Sequence, residues 1–200
     1  MMTGALPEIH GNVPGTGGSR FTGPTLAERL QSVGYATGAF IGGETLTNRS
    51  TGLARGFQTY DDAHAWDRQD LKRPGDQVVA SAQRWMGQQQ GAYFAFIHLF
   101  DAHFPYTPKA PWDTHYDPDY AGTLSGSDAD LRPYRDGGKT PSADDLDHVL
   151  ALYDGELSEL DAIIGPVLQQ AGPNTIVIVT ADHGESFSHG YWFNHRDGLW

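Results

Sequence analysis

The sequence predicts an α/β domain: part of a largely parallel central sheet flanked by helices. Three observations carry this. Two runs, "AYFAFIHLF" (92–100) and "TIVIVTA" (175–181), are continuously apolar rather than alternating, the pattern of strands buried on both faces. A segment with helical spacing of apolar residues precedes each of them. Each run also exits into an acid and a histidine, Asp101 and His103 after the first, Asp182 and His183 after the second. In open parallel sheets, sites form beyond the carboxyl ends of strands.

The elements follow in order. Residues 25–33, "TLAERLQSV", read as a helix with Thr25 as its cap and Leu26, Leu30 and Val33 on one face. Gly34 ends it, and "YATGAFIG" (35–42) reads as a short buried strand. Residues 76–90 repeat the helical pattern, with Val78, Val79, Ala82, Trp85 and Met86 facing inward. The apolar strand 92–100 then leads into "DAHFPYTPKAPW", where three prolines forbid regular structure. An irregular insertion is expected over about 101–141, within one domain spanning 1–200. From Ser142 to about Gln170 runs the longest helix, capped by Ser142 and Asp145. Gly165-Pro166 is expected to kink or break its last turn. Gly172-Pro173 turns the chain into the second apolar strand.

Composition excludes several functions. Acidic residues outnumber basic ones 25 to 13, and no basic stripe exists to neutralise phosphates, which argues against nucleic acid and anionic membrane. The chain has no cysteine, so disulfides, thiolate metal sites and a cysteine nucleophile are absent from it. No apolar run is long enough to span a bilayer, and the first residues lack a signal-peptide pattern. Gly-x-Ser-x-Gly, Walker and His-Glu-x-x-His motifs are missing. "YDDAHAWDRQD" (60–70) is rich in acids, but its spacing matches no calcium loop.

The candidate chemistry lies in the histidines. Asp182 and His183 can coordinate one divalent cation if the strand has already become a loop there, because neighbours on a regular strand point to opposite faces. Gly184 permits that turn; the competing reading is a plain turn with an incidental histidine. His103 can donate a hydrogen bond to an anionic substrate oxygen, or cap local backbone. His189 and His195 sit in "SHGYWFNHRDG", and either can protonate a leaving group or simply face solvent. His10, in "PEIHGN", reads as a turn residue.

"VTADHGESFSHGYWFNH" (179–195) closely resembles the C-terminal metal motif of the sulfatase family, in the alkaline phosphatase-like superfamily. Other segments agree in family order. "MMTGALPEIHG" resembles the segment after the family's nucleophile, and "PTLAERLQSVGYATGAFIGG" its first helix and strand. "GLARGFQTYDD" is similar to its Gly-Phe-x-x-Tyr segment, and "FAFIHLFDAHFPYTP" to its Asp-x-His-x-Pro-Tyr loop. "YDGELSELDAIIGPVL" resembles its long helix.

The resemblance implies hydrolysis of a small-molecule or saccharide sulfate ester. It implies one divalent cation, Ca²⁺ first and Mn²⁺ or Mg²⁺ as alternatives, together with a formylglycine made from a C/S-x-P-x-R motif. By position, Asp182 and His183 match metal ligands, His103 matches the histidine on the transferred group, and His195 falls near the residue that assists the leaving group. "SFSHG" is one residue shorter than the family's form, which leaves the roles of His189 and His195 open. Family members are often exported, which favours a periplasmic or extracellular setting.

The departures are specific. No C/S-x-P-x-R motif occurs in these residues, and the aspartates expected on an N-terminal strand are missing. The expectation is therefore an internal fragment, truncated at both ends and inactive alone. Runner-up functions are phosphonate or phosphodiester hydrolysis, or phosphotransfer, within the same superfamily. A non-catalytic module that kept the scaffold is a further alternative.

Overall fold

A computed structural model describes residues 2–6, 9, 21–66, 71–188 and 190–195. The chain divides into two units, 1–100 and 101–200.

The first unit holds the parallel sheet. Helix α1 (Leu26–Ser32) begins at Thr25, whose side chain accepts from the Glu28 amide while Glu28 reaches back to the Thr25 amide. This reciprocal cap satisfies two amides that a helix start leaves without partners. Strand β1 (Ala36–Ile41) follows, then a short α2 (Asn48–Thr51), β2 (Thr59–Asp61), α3 (Gly75–Gly87) and β3 (Tyr93–His98). The strand order is β2-β1-β3, all parallel, with Ala39 opposite both Tyr60 and Phe96. Being central, β1 is buried almost throughout, whereas β3 is half-buried along its whole length. Both faces of β3 are half-buried rather than fully buried, which corrects the expectation of full burial on 92–100, and β3 is also an edge strand among the described residues. Helix α3 packs Val78 and Ala82 onto Phe40, with Trp85, Ile97 and Leu99 around them.

At the end of β2, Asp61 forms a bidentate ion pair with the buried Arg73, both contacts at 3.1 Å, and takes a hydrogen bond from Ser81. Burial alone would raise the Asp61 carboxyl pKa, but the Arg73 and Ser81 hydrogen bonds prevail and hold it below its ordinary value.

The second unit is organised by α6 (Ala143–Gln170), capped by Ser142. His148, Val149, Leu152, Gly155, Glu156 and Glu159 are its buried residues, at the three-and-four spacing of one helix face. The helix runs on through Pro166 to Gln170, so Gly165-Pro166 does not break it: a proline near the C-terminus removes one late hydrogen bond rather than the ladder. Two helices, α4 (Trp112–His115) and α5 (Asp128–Arg135), lie within residues 101–141, where the sequence suggested irregular structure. Ser127 caps α5, and Leu131 anchors it in the core.

Residues 107–120 run along α6 as a strap. The buried carboxylates of Glu156 and Glu159 each accept a backbone amide from it, of Thr107 and Lys109, both at 2.8 Å. Tyr116 bonds Ser158, Asp117 meets His148 at 3.0 Å, and Tyr120 donates to Asp145 at 2.6 Å. The Tyr120 and His148 rings stack at 3.6 Å. Gly155 permits this approach, since a Cβ there would stand 2.6 Å from the Trp112 carbonyl oxygen.

The apolar run 175–181, expected as a buried strand, is not one. It has no strand pairing, and Ile176 and Ile178 are 89% and 82% exposed. A parallel strand needs a partner, and the described residues of this unit offer only the antiparallel hairpin of β4 (Ser186–Ser188) and β5 (Tyr191–Asn194). That hairpin closes a core of Phe104, Tyr106, Leu131, Val149, Leu152 and Phe193.

Candidate metal centre

Every candidate site residue that is described lies in the second unit. Asp182 and His183 occupy the loop before β4. Asp182 Oδ1 accepts the His183 amide at 3.1 Å, and its Oδ2 lies 3.6 Å from His183 Nε2. The pair therefore presents one oxygen and one nitrogen on the same side, but the Asp182 side chain is 82% exposed. His183 Nδ1 meets the Gly184 carbonyl at 3.0 Å, a contact that requires a proton on Nδ1 and leaves the lone pair of the neutral ring on Nε2.

His103 follows β3 in sequence, and its Nδ1 meets the Phe104 carbonyl at 2.8 Å. By the same reasoning, the lone pair of its neutral ring sits on Nε2. His195 ends the hairpin, with its ring 4.2 Å from that of His183 and 5.1 Å from that of His103, centre to centre. The three imidazoles thus form a row. His189 and His10 lie outside the described residues.

The residue that completes the cluster is one the sequence analysis did not single out. Glu185 is 4% exposed, and its Oε1 lies 3.4 Å from His195 Nδ1. The two atoms are close enough for an ion pair but not aligned as a hydrogen bond, and both are buried without a hydrogen-bond partner among the described residues. One ligand atom from each of His103, Glu185 and His195 lies within 4.8 Å of the others. Two imidazole nitrogens and a carboxylate oxygen converging this way fit a divalent cation, and the orphaned pair is what such an ion would satisfy. Glu185 was legible in principle, standing two residues beyond His183 in "DHGE".

Behind the triad stands Tyr106, fully buried, whose hydroxyl donates to Glu185 Oε2 at 3.0 Å. Burial, and then the Glu185 charge, push the Tyr106 pKa far up, so it remains a donor at all ordinary pH values. Its bond leaves Oε1 as the atom aimed at His195. Phe193 packs on Tyr106 and has φ +57°, a left-handed conformation that costs a bulky residue. A register shift between Ser186 and Phe187 interrupts the same hairpin. Strain and irregularity therefore collect where Asn194 and His195 are set in place. A cavity of about 120 Å³ opens beside them, lined by His103, Phe104, Arg135, Phe193, Asn194 and His195.

The sulfatase sequence profile matches residues 1–198. The chain belongs to the sulfatase family. Solved structures agree in fold. The domain is similar to the phosphonate monoester hydrolase of Agrobacterium radiobacter, with TM-score 0.57 and 14% identity over 84% of this chain and 48% of that one. It is similar to the phosphonate monoester hydrolase SpPMH from Silicibacter pomeroyi, with TM-score 0.53 and 20% identity over 84% and 47%. The C-terminal periplasmic domain of EcEptC from Escherichia coli, solved in complex with Zn, aligns at TM-score 0.52 and 16% identity over 74% and 39%. The chain spans less than half the length of each of these. No curated protein matches it by sequence. Among the described residues of this sulfatase-family domain, no helix is long and apolar enough to cross a membrane.

Proposed function

We propose that this sulfatase-family domain contributes the metal-binding half of a hydrolase acting on sulfate esters. The observation that carries this reading is the convergence of His103, Glu185 and His195, with Asp182 and His183 at the exposed end of the same row. Two nitrogens and one oxygen favour a borderline cation such as Zn²⁺ over Ca²⁺, which prefers six to eight oxygens. A bound cation supplies charge to polarise the ester oxygens.

The chain's own residues have distinct tasks. Glu185 and His195 hold the buried pair of ligand atoms, and Tyr106 fixes the carboxylate between them. Asp182 and His183 offer a second, exposed pair that needs further ligands. His103, its tautomer set by the Phe104 carbonyl, offers Nε2 as the third ligand atom. Its ring lies against His195 at the cavity wall. With Nδ1 facing Glu185, His195 keeps Nε2 as the position from which it would donate a proton to a leaving oxygen. Because no C/S-x-P-x-R motif occurs among these residues, the 200-residue chain is expected to be inactive without a nucleophile supplied from outside it.

Cleavage of phosphonate monoesters is the second reading, favoured by the two phosphonate monoester hydrolases among the fold relatives. One assay separates these readings. The protein carrying a C/S-x-P-x-R segment ahead of this domain is offered 4-nitrophenyl sulfate and 4-nitrophenyl phenylphosphonate, with Zn²⁺, Mn²⁺ or Ca²⁺. Faster cation-dependent release from the sulfate, lost in Glu185→Gln and Asp182→Ala, is the expected result. Faster release from the phosphonate selects the second reading, and cation-independent release defeats both. Turnover by the 200-residue chain alone contradicts its expected inactivity.

A further inference from the structure

Arg135 belongs to none of the sequence motifs above, yet it lines the same cavity as His103 and His195. We propose that Arg135 is an anion-recognising residue, and that the cavity it shares with the two imidazoles receives a tetrahedral oxyanion group of the substrate. The inference rests on the functional reading above and adds the substrate-side contact which that reading lacks.

Four observations support it. Arg135 is the last residue of α5, and its guanidinium lies 4.5 Å from the centre of the Phe104 ring. That ring is 6% exposed, so the cation is steered over an apolar surface beside the cavity rather than out into solvent. Phe104, the ring beneath the guanidinium, is next to His103 in the chain. The cavity walls then divide by chemistry, with imidazoles, Asn194 and Arg135 supplying polar groups and Phe104 and Phe193 supplying apolar surface. Four polar groups converging beside two aromatic rings suit a small, strongly polar ligand rather than an apolar one.

Two carboxylates compete for Arg135. Asp136 Oδ1 accepts from its Nε at 3.2 Å, and Asp128 Oδ1 stands 3.9 Å from Nη1. Both aspartates are well exposed, at 59% and 42%, so water screens their attraction. Nε is one of five donors on a guanidinium, and the planar fork suits a tetrahedral oxyanion. The aspartates therefore orient Arg135 without saturating it. Glu185, buried and acidic, opposes an anion in the same neighbourhood until a cation offsets it. Anion and cation binding are expected to reinforce one another.

The test is a titration of inorganic sulfate and inorganic phosphate into the 200-residue chain, with and without saturating Zn²⁺, followed by histidine NMR shifts and calorimetry. Wild type, Arg135→Lys and Arg135→Gln are compared, with Zn²⁺ affinity measured on each. Arg135→Gln is expected to weaken oxyanion binding about tenfold or more, with Arg135→Lys between, and Zn²⁺ affinity unchanged. The same order is expected at lower affinity in the metal-free chain. Equal affinity in wild type and Arg135→Gln overturns the proposal, whether or not Zn²⁺ binds. Failure of Zn²⁺ to bind at all overturns the metal reading instead, and the metal-free comparison still decides the role of Arg135. Loss of Zn²⁺ affinity in Arg135→Gln assigns the residue to folding of the centre and also overturns the proposal.

Discussion

Glu185 is held from both sides: Tyr106 donates to one carboxylate oxygen at 3.0 Å, and His195 faces the other at 3.4 Å. The first contact is a formed hydrogen bond; the second is a gap of the kind a cation closes. Tyr106→Phe separates them, since it keeps the ring that packs on Phe193 and Phe187 and deletes only the donor. Cation affinity is expected to fall about tenfold or more, the usual effect of losing a partner behind a metal ligand. Stability should fall by about 1–3 kcal/mol, because a buried carboxylate oxygen loses its donor. A competition titration against a chelator, paired with urea melts, checks both numbers.

Gly155→Ala tests the strap on α6. A Cβ at this position would stand 2.6 Å from the Trp112 carbonyl oxygen and 2.9 Å from Pro108 Cγ. Backbone on one side and a rigid ring on the other leave little room to yield. The expected cost is about 1–3 kcal/mol, despite the better helix propensity of alanine. An unchanged urea midpoint would mean that residues 107–120 do not lie against the helix in solution.

The cap of α1 carries a pH signature. The Arg55 hydrogen bond, then the Thr25 amide, lower the Glu28 pKa from 4.5 to about 2. A depressed carboxylate contributes stability that is full above its unfolded value and lost as pH falls through the folded one. Stability attributable to Glu28 should therefore decline between about pH 4.5 and 2, and Glu28→Gln should remove that slope. The pair is exposed, so its contribution is small and salt weakens it. Urea melts of both proteins across that window, at low and high salt, measure the difference.

Much of the fold was legible because local chemistry announces it. Thr25 and Glu28 mark the start of α1, and Ser142 that of α6, through bonds made within one turn. What failed depended on partners far away in sequence. Residues 175–181 have the composition of a buried strand, but composition does not supply the neighbouring strand that pairing needs. Helix α5 was not expected, although Ser127 with Asp128 and Asp130 in the first turn is a start signal. In the site, the sequence marked His103, Asp182, His183 and His195 but not how they assemble. Arg135 emerged only when α5 brought it to the histidines, and Glu185, though adjacent to the motif, only when its side chain was seen to face His195.

Zn²⁺ titration of the 200-residue chain, comparing wild type with Glu185→Gln and Asp182→Ala, tests the proposed metal centre most directly. The account predicts one tightly bound equivalent with His103 and His195 ring resonances shifting together, weakened at least tenfold by Glu185→Gln and less by Asp182→Ala. Binding that survives Glu185→Gln unchanged, or that depends on Asp182 alone, would contradict it.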